Sequence, residues 1–394
     1  MSGAEPPGPW TARPERVRAA LRARALRLKR LRLRDFRSYE RAEVELGEGL
    51  TVVSGPNGAG KTNLLEAAYF ALTARSPRTS NERELVRRGA SVTRVEADVE
   101  GGDAPHRLEV AFTPGEPKQV RVDGAAVEGA AAESRPAVVV FLPDRLELVK
   151  GPPSLRRGHL DQLVAALWPA RATTRSAYSR ALAQRNALVA RIRAGVSGRG
   201  ALDAWDAELA RQGAELMADR REAIGALAPR FEAMALDLGL PEPASLAYRP
   251  RSRAADAEGL ATELAERRGA DLERGFTAHG PHRDDVALIH GGASLRSYGS
   301  QGQQRTALLA LLFAERELLA ERRGAPPLAL LDDVMSELDE TRRERLAERL
   351  RSGGQAVLTA TEPGHVPGSA DAGVKRLEVA PGSVRAAGTA GAAA

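Results

Sequence analysis

The chain has 394 residues, a formal net charge of +6 and no cysteine, which excludes disulfides, thiolate chemistry and cysteine-based metal sites. Such a length holds about two or three lobes around a large core, and no apolar run is long enough to span a bilayer. Arg dominates the basic residues and suits bidentate phosphate contacts with an acidic partner such as nucleic acid, although a coding bias toward Arg, Ala and Gly gives the same composition.

In chain order, residues 1–28 form a basic extension expected to be disordered. It is rich in Pro and Gly up to Pro14, then dense in Arg, and it lacks the apolar segment of a secretory signal. The first compact segment is expected over 29–151. It opens with a strand of alternating apolar residues at Leu31–Phe36, and Val44 and Leu46 mark an antiparallel partner.

Leu50–Ser54 is apolar and β-branched and reads as a buried strand. It leads into Gly55, Pro56, Asn57, Gly58, Ala59, Gly60, Lys61 and Thr62, which fit the phosphate-binding loop pattern. A helix follows from Asn63. The loop's N–H groups and the helix N-terminus make an anion site. Lys61 reaches the β- and γ-phosphates of a nucleotide in such loops, and the Thr62 hydroxyl holds Mg²⁺. Arg94–Val99, Arg107–Phe112 and Gln119–Val122 alternate with period two and read as a meander, and Ala137–Leu142 reads as a further buried strand.

After Pro152 the pattern becomes helical, and residues 152–276 read as a helical lobe inserted into the ATPase. Ala183, Asn186, Ala187, Val189, Ala190 and Ile192 mark one apolar face, and Trp205, Leu209, Gly213, Leu216 and Met217 mark the next. Residues 277–379 are expected to return to the ATPase lobe. There Ser300, Gly302 and Gln303 precede a helix from Thr306 to Ala320 and offer a second anion site. Ser300 and Gly302 match the Ser and second Gly of the signature sequence of ATP-binding-cassette ATPases. Leu328–Leu331 is an apolar strand ending in Asp332 and Asp333. Asp332 stands where a carboxylate binds Mg²⁺ through water, and Asp333 where a general base for the attacking water sits. Leu358-Thr-Ala-Thr361 occupies the place of the switch His of many cassette ATPases, and a Thr hydroxyl can bond but takes up no proton at neutral pH. The Ala/Gly tail, 380–394, is expected to be disordered.

Eight blocks, in order, resemble the RecF family of bacterial recombination-mediator ATPases, which are related to SMC heads. They are Phe36-Arg-Ser-Tyr39, Glu82-Arg-Glu-Leu-Val-Arg87, Leu146-Glu-Leu-Val-Lys-Gly151, Arg156-Arg157 with Leu160-Asp161, Gln184-Arg-Asn186, Gly280-Pro-His-Arg-Asp-Asp285, Gly299-Ser-Gln-Gly-Gln-Gln-Arg-Thr306 and Leu331-Asp-Asp-Val-Met-Ser-Glu-Leu-Asp339. The resemblance implies an α/β fold, an ABC/SMC-type P-loop ATPase head with a mixed β-sheet core and an inserted α-helical lobe. It implies ATP and Mg²⁺ as cofactors and adds Arg37, Ser300, Gly302 and Gln303 to the nucleotide-binding set. Lys61, Asp332 and Asp333 would serve catalysis, with Thr62 and Asp332 on the metal.

It further implies an ATP-dependent homodimer that sandwiches nucleotide between the P-loop of one subunit and the signature of the other. Such a dimer clamps single- and double-stranded DNA at gaps and supports RecA loading with RecO and RecR. Roles in replication, recombinational repair and SOS induction follow, with a weak DNA-dependent ATPase that resets the clamp, in the cytoplasm and away from membranes. Asp333 in place of the usual Glu has a shorter arm, which favours slow hydrolysis. Arg87, Arg88, Arg156, Arg157 and Arg283 are candidates for DNA-backbone contact, and His282 for shaping its turn. Scarce aromatics speak against a base-stacking platform.

Three rival readings fit less well. A transporter ATPase subunit would carry the switch His and a shorter gap between P-loop and signature. An SMC scaffold would need a heptad arm of hundreds of residues. A P-loop nuclease would need an acidic metal-binding domain after the ATPase core.

Overall fold

A computed structural model describes residues 27–101, 104–127 and 138–387. The strands of the described residues run, in chain order, β1 (Arg27–Phe36), β2 (Tyr39–Glu45), β3 (Leu50–Ser54), β4 (Thr93–Gly101), β5 (Ala104–Phe112), β6 (Gln119–Val122), β7 (Ala125–Ala126) and β8 (Val138–Phe141). They continue with β9 (Ala244–Arg249), β10 (Asp285–His290), β11 (Ala293–Ser294), β12 (Leu328–Leu331), β13 (Ala356–Ala360), β14 (Lys375–Ala380) and β15 (Ser383–Ala386). The chain divides into two units: one joins the part up to Arg145 to the part from Arg316, and the other is Leu146–Glu315.

The first unit contains two six-stranded sheets. One is antiparallel, in the order β2-β1-β4-β5-β6-β7. The other has the order β15-β14-β3-β13-β12-β8, with β14, β3, β13, β12 and β8 parallel and β15 antiparallel at the edge. Its central strands β3, β12 and β13 are buried at every position, as expected for parallel strands covered on both faces. The P-loop helix, Lys61–Thr73, touches strands of both sheets, and ten of its 13 residues are buried. Its Phe70 meets Phe36 of β1 with ring centroids 5.8 Å apart. This double burial explains why the helix carries little amphipathic signal in the sequence.

The first strand begins at Arg27, inside the stretch expected to be disordered. Leu28 is fully buried, and its N–H and C=O both bond the Gln355 side-chain amide at 2.8 Å. At the other end β15 pairs with β14 within the expected disordered tail, because Ser383–Ala386 satisfies the open edge of β14. The expected disorder of residues 1–26 and 388–394, and the start of the Ala137 strand, lie outside the described residues.

The second unit is built on the helices Pro153–Leu167, Thr174–Arg193, Leu202–Asp237, Ala257–Glu266 and Arg268–Arg274, with a small sheet β11-β10-β9. β10 follows the Gly280 block and pairs antiparallel with β9 in register from Asp285↔Arg249 to His290↔Ala244. That pairing keeps residues 277–315 with the helical unit, in place of an early return to the ATPase lobe at 277.

The apolar face expected on Thr174–Arg193 is rotated. Of that face Val189 is buried and Ile192 packs beside it, but Ala183, Ala187 and Ala190 are exposed, whereas Tyr178, Ala181, Arg185 and Leu188 are buried. The reason is a buried ionic centre. Arg185 is 0 % exposed, with Nε 2.6 Å from Asp206 and Nη1 2.7 Å from Asp271 and 2.6 Å from the Thr277 hydroxyl. A second centre joins Asp161 to both Nε and Nη2 of Arg220, whose Nη1 reaches Asp284 at 3.2 Å.

Arg185→Met should destabilise the second unit by about 3 kcal/mol, at the low end for breaking a buried pair, because Asp206 keeps Arg268 and Asp271 keeps the Ala278 N–H. Urea unfolding followed by Trp fluorescence checks this. An unchanged midpoint would show that the centre does not hold the helices together.

Candidate nucleotide-binding site

The site grows from the edge of the parallel sheet where β3, β12 and β13 end side by side. Gly55 leaves β3 with φ +153°, and a Cβ there would lie 2.2 Å from the Val379 carbonyl, so only glycine fits under β14. Gly60 closes the loop with φ +115°, where a Cβ would lie 2.8 Å from the Tyr39 hydroxyl. That hydroxyl donates to the Gly60 carbonyl at 3.1 Å, and burial raises the Tyr39 pKa, which keeps the donor proton in place. Between them the Ala59 N–H bonds the Pro56 carbonyl at 3.2 Å, while Asn57 and Gly58 stay exposed at the tip.

Lys61 is 7 % exposed, and its Nζ donates to the carbonyls of Gly55 at 2.7 Å and Pro56 at 3.1 Å. The ammonium thus folds over the mouth of its own loop, where phosphate oxygens can replace the two carbonyls. One residue on, the Thr62 hydroxyl donates to Asp332 Oδ2 at 2.7 Å. Asp332 is 5 % exposed, and its Oδ1 accepts from the Thr359 hydroxyl at 2.7 Å. Thr359 in turn accepts from the Asp333 N–H at 2.9 Å. Asp333 has φ 47° and ψ 33°, in the left-handed region that Asp tolerates better than most side chains.

Two motifs 270 residues apart in sequence therefore share one hydrogen bond. Among the described residues the buried Asp332 carboxylate is held by two neutral hydroxyls and has no salt bridge. The set Thr62–Asp332 fits Mg²⁺, which uses one or two protein oxygens plus water and substrate phosphates. Among the described residues there is no cluster of three or more His, Cys, Asp or Glu suited to a metal held by protein alone.

Arg37 lies beside the P-loop helix with φ 50°. Its Nε and Nη2 form a fork onto Glu66, both at 2.8 Å. Glu66 is fully buried and also accepts from Arg78 at 3.1 Å and from the Ser76 hydroxyl at 2.6 Å. Neither Glu66 nor the bonding pattern of Thr359 was anticipated from the sequence. The available signals were a carboxylate amid the apolar run Leu64-Leu65-Glu66-Ala67-Ala68, and a hydroxyl in the place of the switch His.

In the second unit Ser300 caps the helix Gln301–Arg323. Gln303 N–H bonds the Ser300 hydroxyl at 3.2 Å, and Ser300 N–H bonds Gln303 Oε1 at 2.8 Å, a reciprocal capping box. Ser300 and Gly302 are exposed, and a Cβ at Gly302 would meet nothing within 4 Å.

The Gly280 block is largely structural. Asp284 accepts from Tyr248, from the Arg251 N–H at 2.7 Å and from Arg220. His282 lies 2.7 Å from the Tyr178 hydroxyl, and burial pushes its pKa down to about 4, so its ring is neutral at pH 7 and shapes the turn. Arg156 is 5 % exposed and forks onto Asp285 at 2.8 and 3.0 Å, which withdraws it from any DNA contact. Arg157 bonds the Asp284 carbonyl at 2.6 Å, and Arg87 pairs with Asp35 at 2.7 Å. Arg88 and Arg283 remain exposed, the latter 5.7 Å from the Phe276 ring centroid.

The RecF/RecN/SMC N terminal domain family model matches residues 27–372. The DNA replication and repair protein RecF of Streptomyces avermitilis is 40% identical over 361 residues, covering 86% of this chain and 94% of that protein. The chain belongs to the RecF family. RecF of Myxococcus xanthus is 40% identical over 374 residues, 91% of this chain and 97% of that protein. A solved structure described as the recombination mediator protein RecF with ATP in the RecFOR pathway is 28% identical, with a TM-score of 0.82 over 93% of this chain and 99% of that one. The Smc head of Pyrococcus furiosus, 16% identical with a TM-score of 0.55, covers 92% of this chain and 96% of that one and shares the fold. The ABC/SMC-type head read from the RecF motifs is thus the fold of this protein, and none of its described helices is long and apolar enough to cross a membrane.

Lys61→Ala should abolish tight ATP binding while leaving the fold intact, because Gly55, Gly60 and Tyr39 still shape the loop without the ammonium. Titration with a fluorescent ATP analogue, beside a thermal melt, measures both. Equal affinity in mutant and wild type would remove Lys61 from the site.

Proposed function

We propose that this protein is an ATP-dependent DNA-binding recombination mediator whose ATP-bound homodimer acts as a clamp on single-strand/double-strand gaps. The observation that carries the nucleotide part is the 2.7 Å bond between Thr62 and Asp332, which joins the P-loop to the Walker B strand. The RecF relatives, named for replication and repair, and the ATP-bound RecF structure support the rest.

In this reading the loop Gly55–Gly60 cradles the phosphates with its N–H groups, and Lys61 Nζ moves from the Gly55 and Pro56 carbonyls to phosphate oxygens. Thr62 and Asp332 would hold Mg²⁺, which supplies charge neutralisation at the β- and γ-oxygens. Asp333 accepts the proton of the attacking water, and its short arm keeps hydrolysis slow. Arg37 orients the nucleotide from its fork on Glu66. The exposed Ser300 and Gly302 and the half-buried Gln303, at a helix N-terminus, fit a γ-phosphate held by a second copy of the chain. The closed dimer binds DNA, acts with RecO and RecR to load RecA, and thereby serves recombinational repair, replication and SOS induction. Hydrolysis, stimulated weakly by DNA, reopens it.

Asp333→Asn should slow steady-state hydrolysis at least about tenfold, since an amide is no base, and leave ATP-induced dimerisation in place. Asn tolerates the left-handed backbone as well as Asp does, so the turn should survive. Phosphate release beside light scattering measures both, and an unchanged rate would take the base role from Asp333.

Ser300→Arg tests the trans arrangement. Each monomer should still bind ATP, while ATP-induced dimerisation and ATP-stimulated DNA binding fail because the side chain fills the partner's phosphate contact. Mixing it with Lys61→Ala subunits restores one intact composite site and should recover part of the hydrolysis. Full dimerisation by Ser300→Arg alone would leave Ser300 as a helix cap only.

A further inference from the structure

The outer face of the antiparallel sheet carries charged residues in registered rows. Arg30 stands opposite Glu45 of β2 and Asp98 of β4, and Arg32 stands opposite Glu43 and Glu96. These rows neutralise themselves. Arg30 pairs with Glu43 and Glu45, and Arg32 reaches Glu43 at 3.1 Å and Asp98 at 2.9 Å. The next row breaks the pattern: Arg34 stands opposite Arg41 on one side and Arg94 on the other. Directly opposed residues of antiparallel strands point to the same face, and like charges there destabilise the sheet.

All three arginines are exposed. Among the described residues, Arg94 has a partner in Glu109 at 3.4 Å, whereas Arg34 and Arg41 have no carboxylate within salt-bridge distance. Neighbouring strands lie about 4.8 Å apart, so the outer two arginines are about 10 Å apart at the backbone. The outward residues of this face on β1, β2 and β4 include no aromatic, so the row offers charge without a stacking platform. Two residues beyond Arg34 the same strands meet at the Phe36↔Tyr39 turn, and Tyr39 bonds the P-loop at Gly60.

We propose that Arg34, Arg41 and Arg94 form a row that binds the phosphate backbone of duplex DNA. The inference rests on the DNA-binding reading above and assigns that binding to a surface beside the nucleotide site. A polyanion relieves the repulsion that the sheet otherwise bears, which is the complementarity the row lacks within its own chain. A backbone contact of this kind carries no base preference.

The test compares the full-length protein with the triple variant Arg34→Ala, Arg41→Ala, Arg94→Ala and with a control, Arg30→Ala, Arg32→Ala. Fluorescence anisotropy with a labelled blunt duplex, with ATP, is repeated across a salt series. The triple variant should bind at least about tenfold more weakly, with a log–log salt slope shallower by about 2 to 3, since each phosphate contact contributes about 0.9. Its ATP affinity should be unchanged, and its melting temperature equal or higher, because opposed like charges are gone. A row kept for structure predicts the opposite, a lower melting temperature. The control should keep DNA affinity and lose stability.

Wild-type DNA binding with an unaltered triple variant would overturn this inference alone. No binding of DNA by the wild type in any nucleotide state would overturn the DNA-binding reading and the inference together. Binding of polyglutamate without binding of DNA would overturn it in favour of an acidic protein partner.

Discussion

The Asp332 carboxylate is pinned from both sides by hydroxyls, Thr62 from the P-loop helix and Thr359 from β13. These two bonds tie three parallel strands at their carboxyl ends, because Asp332 ends β12, Thr359 is in β13, and Thr62 follows β3 across the loop. In a parallel sheet ligands gather at that edge, where successive loops diverge. The three residues must also stay in register, and the ladder provides it through Leu331↔Leu358 and Leu358↔Val52. A slip of one residue on any strand would turn the side chains to the other face and separate the three groups. The site is therefore a consequence of sheet register before it is a consequence of motif chemistry.

A second constraint acts from behind the P-loop helix. Because that helix packs against strands of both sheets, a carboxylate at most of its positions is removed from water. Glu66 is tolerable only because Arg37, Arg78 and Ser76 supply its hydrogen bonds. The same bonds fix Arg37, whose own backbone has positive φ. Burial and orientation are two views of one arrangement. Among the described residues, loss of Glu66 would leave the Arg37 side chain only Glu84 at 3.8 Å and the Arg78 side chain only that of Asn63 at 3.2 Å, and loss of Arg37 would leave the buried Glu66 to Arg78 and Ser76.

The strand–loop–helix around Gly55–Thr62, the strand that leads into Asp332 and the helix start at Ser300 were readable in the sequence because each is local, a run of apolar residues broken by glycines or carboxylates at fixed spacing. β3, β12 and the meander could be read for the same reason. What was hidden depended on partners far along the chain. Arg185 turns the Thr174–Arg193 helix so that Ala183, Ala187 and Ala190 face solvent, and that rotation is set by Asp206 and Asp271, which no window around the helix contains. Leu28 is ordered by Gln355, 327 residues away. Arg156 reads as a DNA-backbone candidate in the sequence because its partner Asp285 is 129 residues away, and Asp284 likewise faces Arg220 inside the unit. A charge run in sequence does not distinguish a solvated face from a buried network, whereas strand register and burial do.

Charge pairing also bears on how the ATPase edge is switched. The group next to Asp332 and Asp333 is a Thr, which has no proton to gain or lose near neutral pH. Thr359 donates to Asp332 and accepts from the Asp333 N–H, so its single hydroxyl proton is already committed. A His in that position would let protonation compete with nucleotide for control of the edge. Thr itself adds no titrating group to that edge. The left-handed backbone of Asp333 is held by the same hydroxyl, so the conformation of Asp333 is tied to Asp332 through one oxygen atom. Thr62, Asp332, Thr359 and Asp333 are therefore joined in one chain of hydrogen bonds, so a displacement of the P-loop helix end and a displacement of the turn after β12 are mechanically coupled through two hydroxyls and a carboxylate.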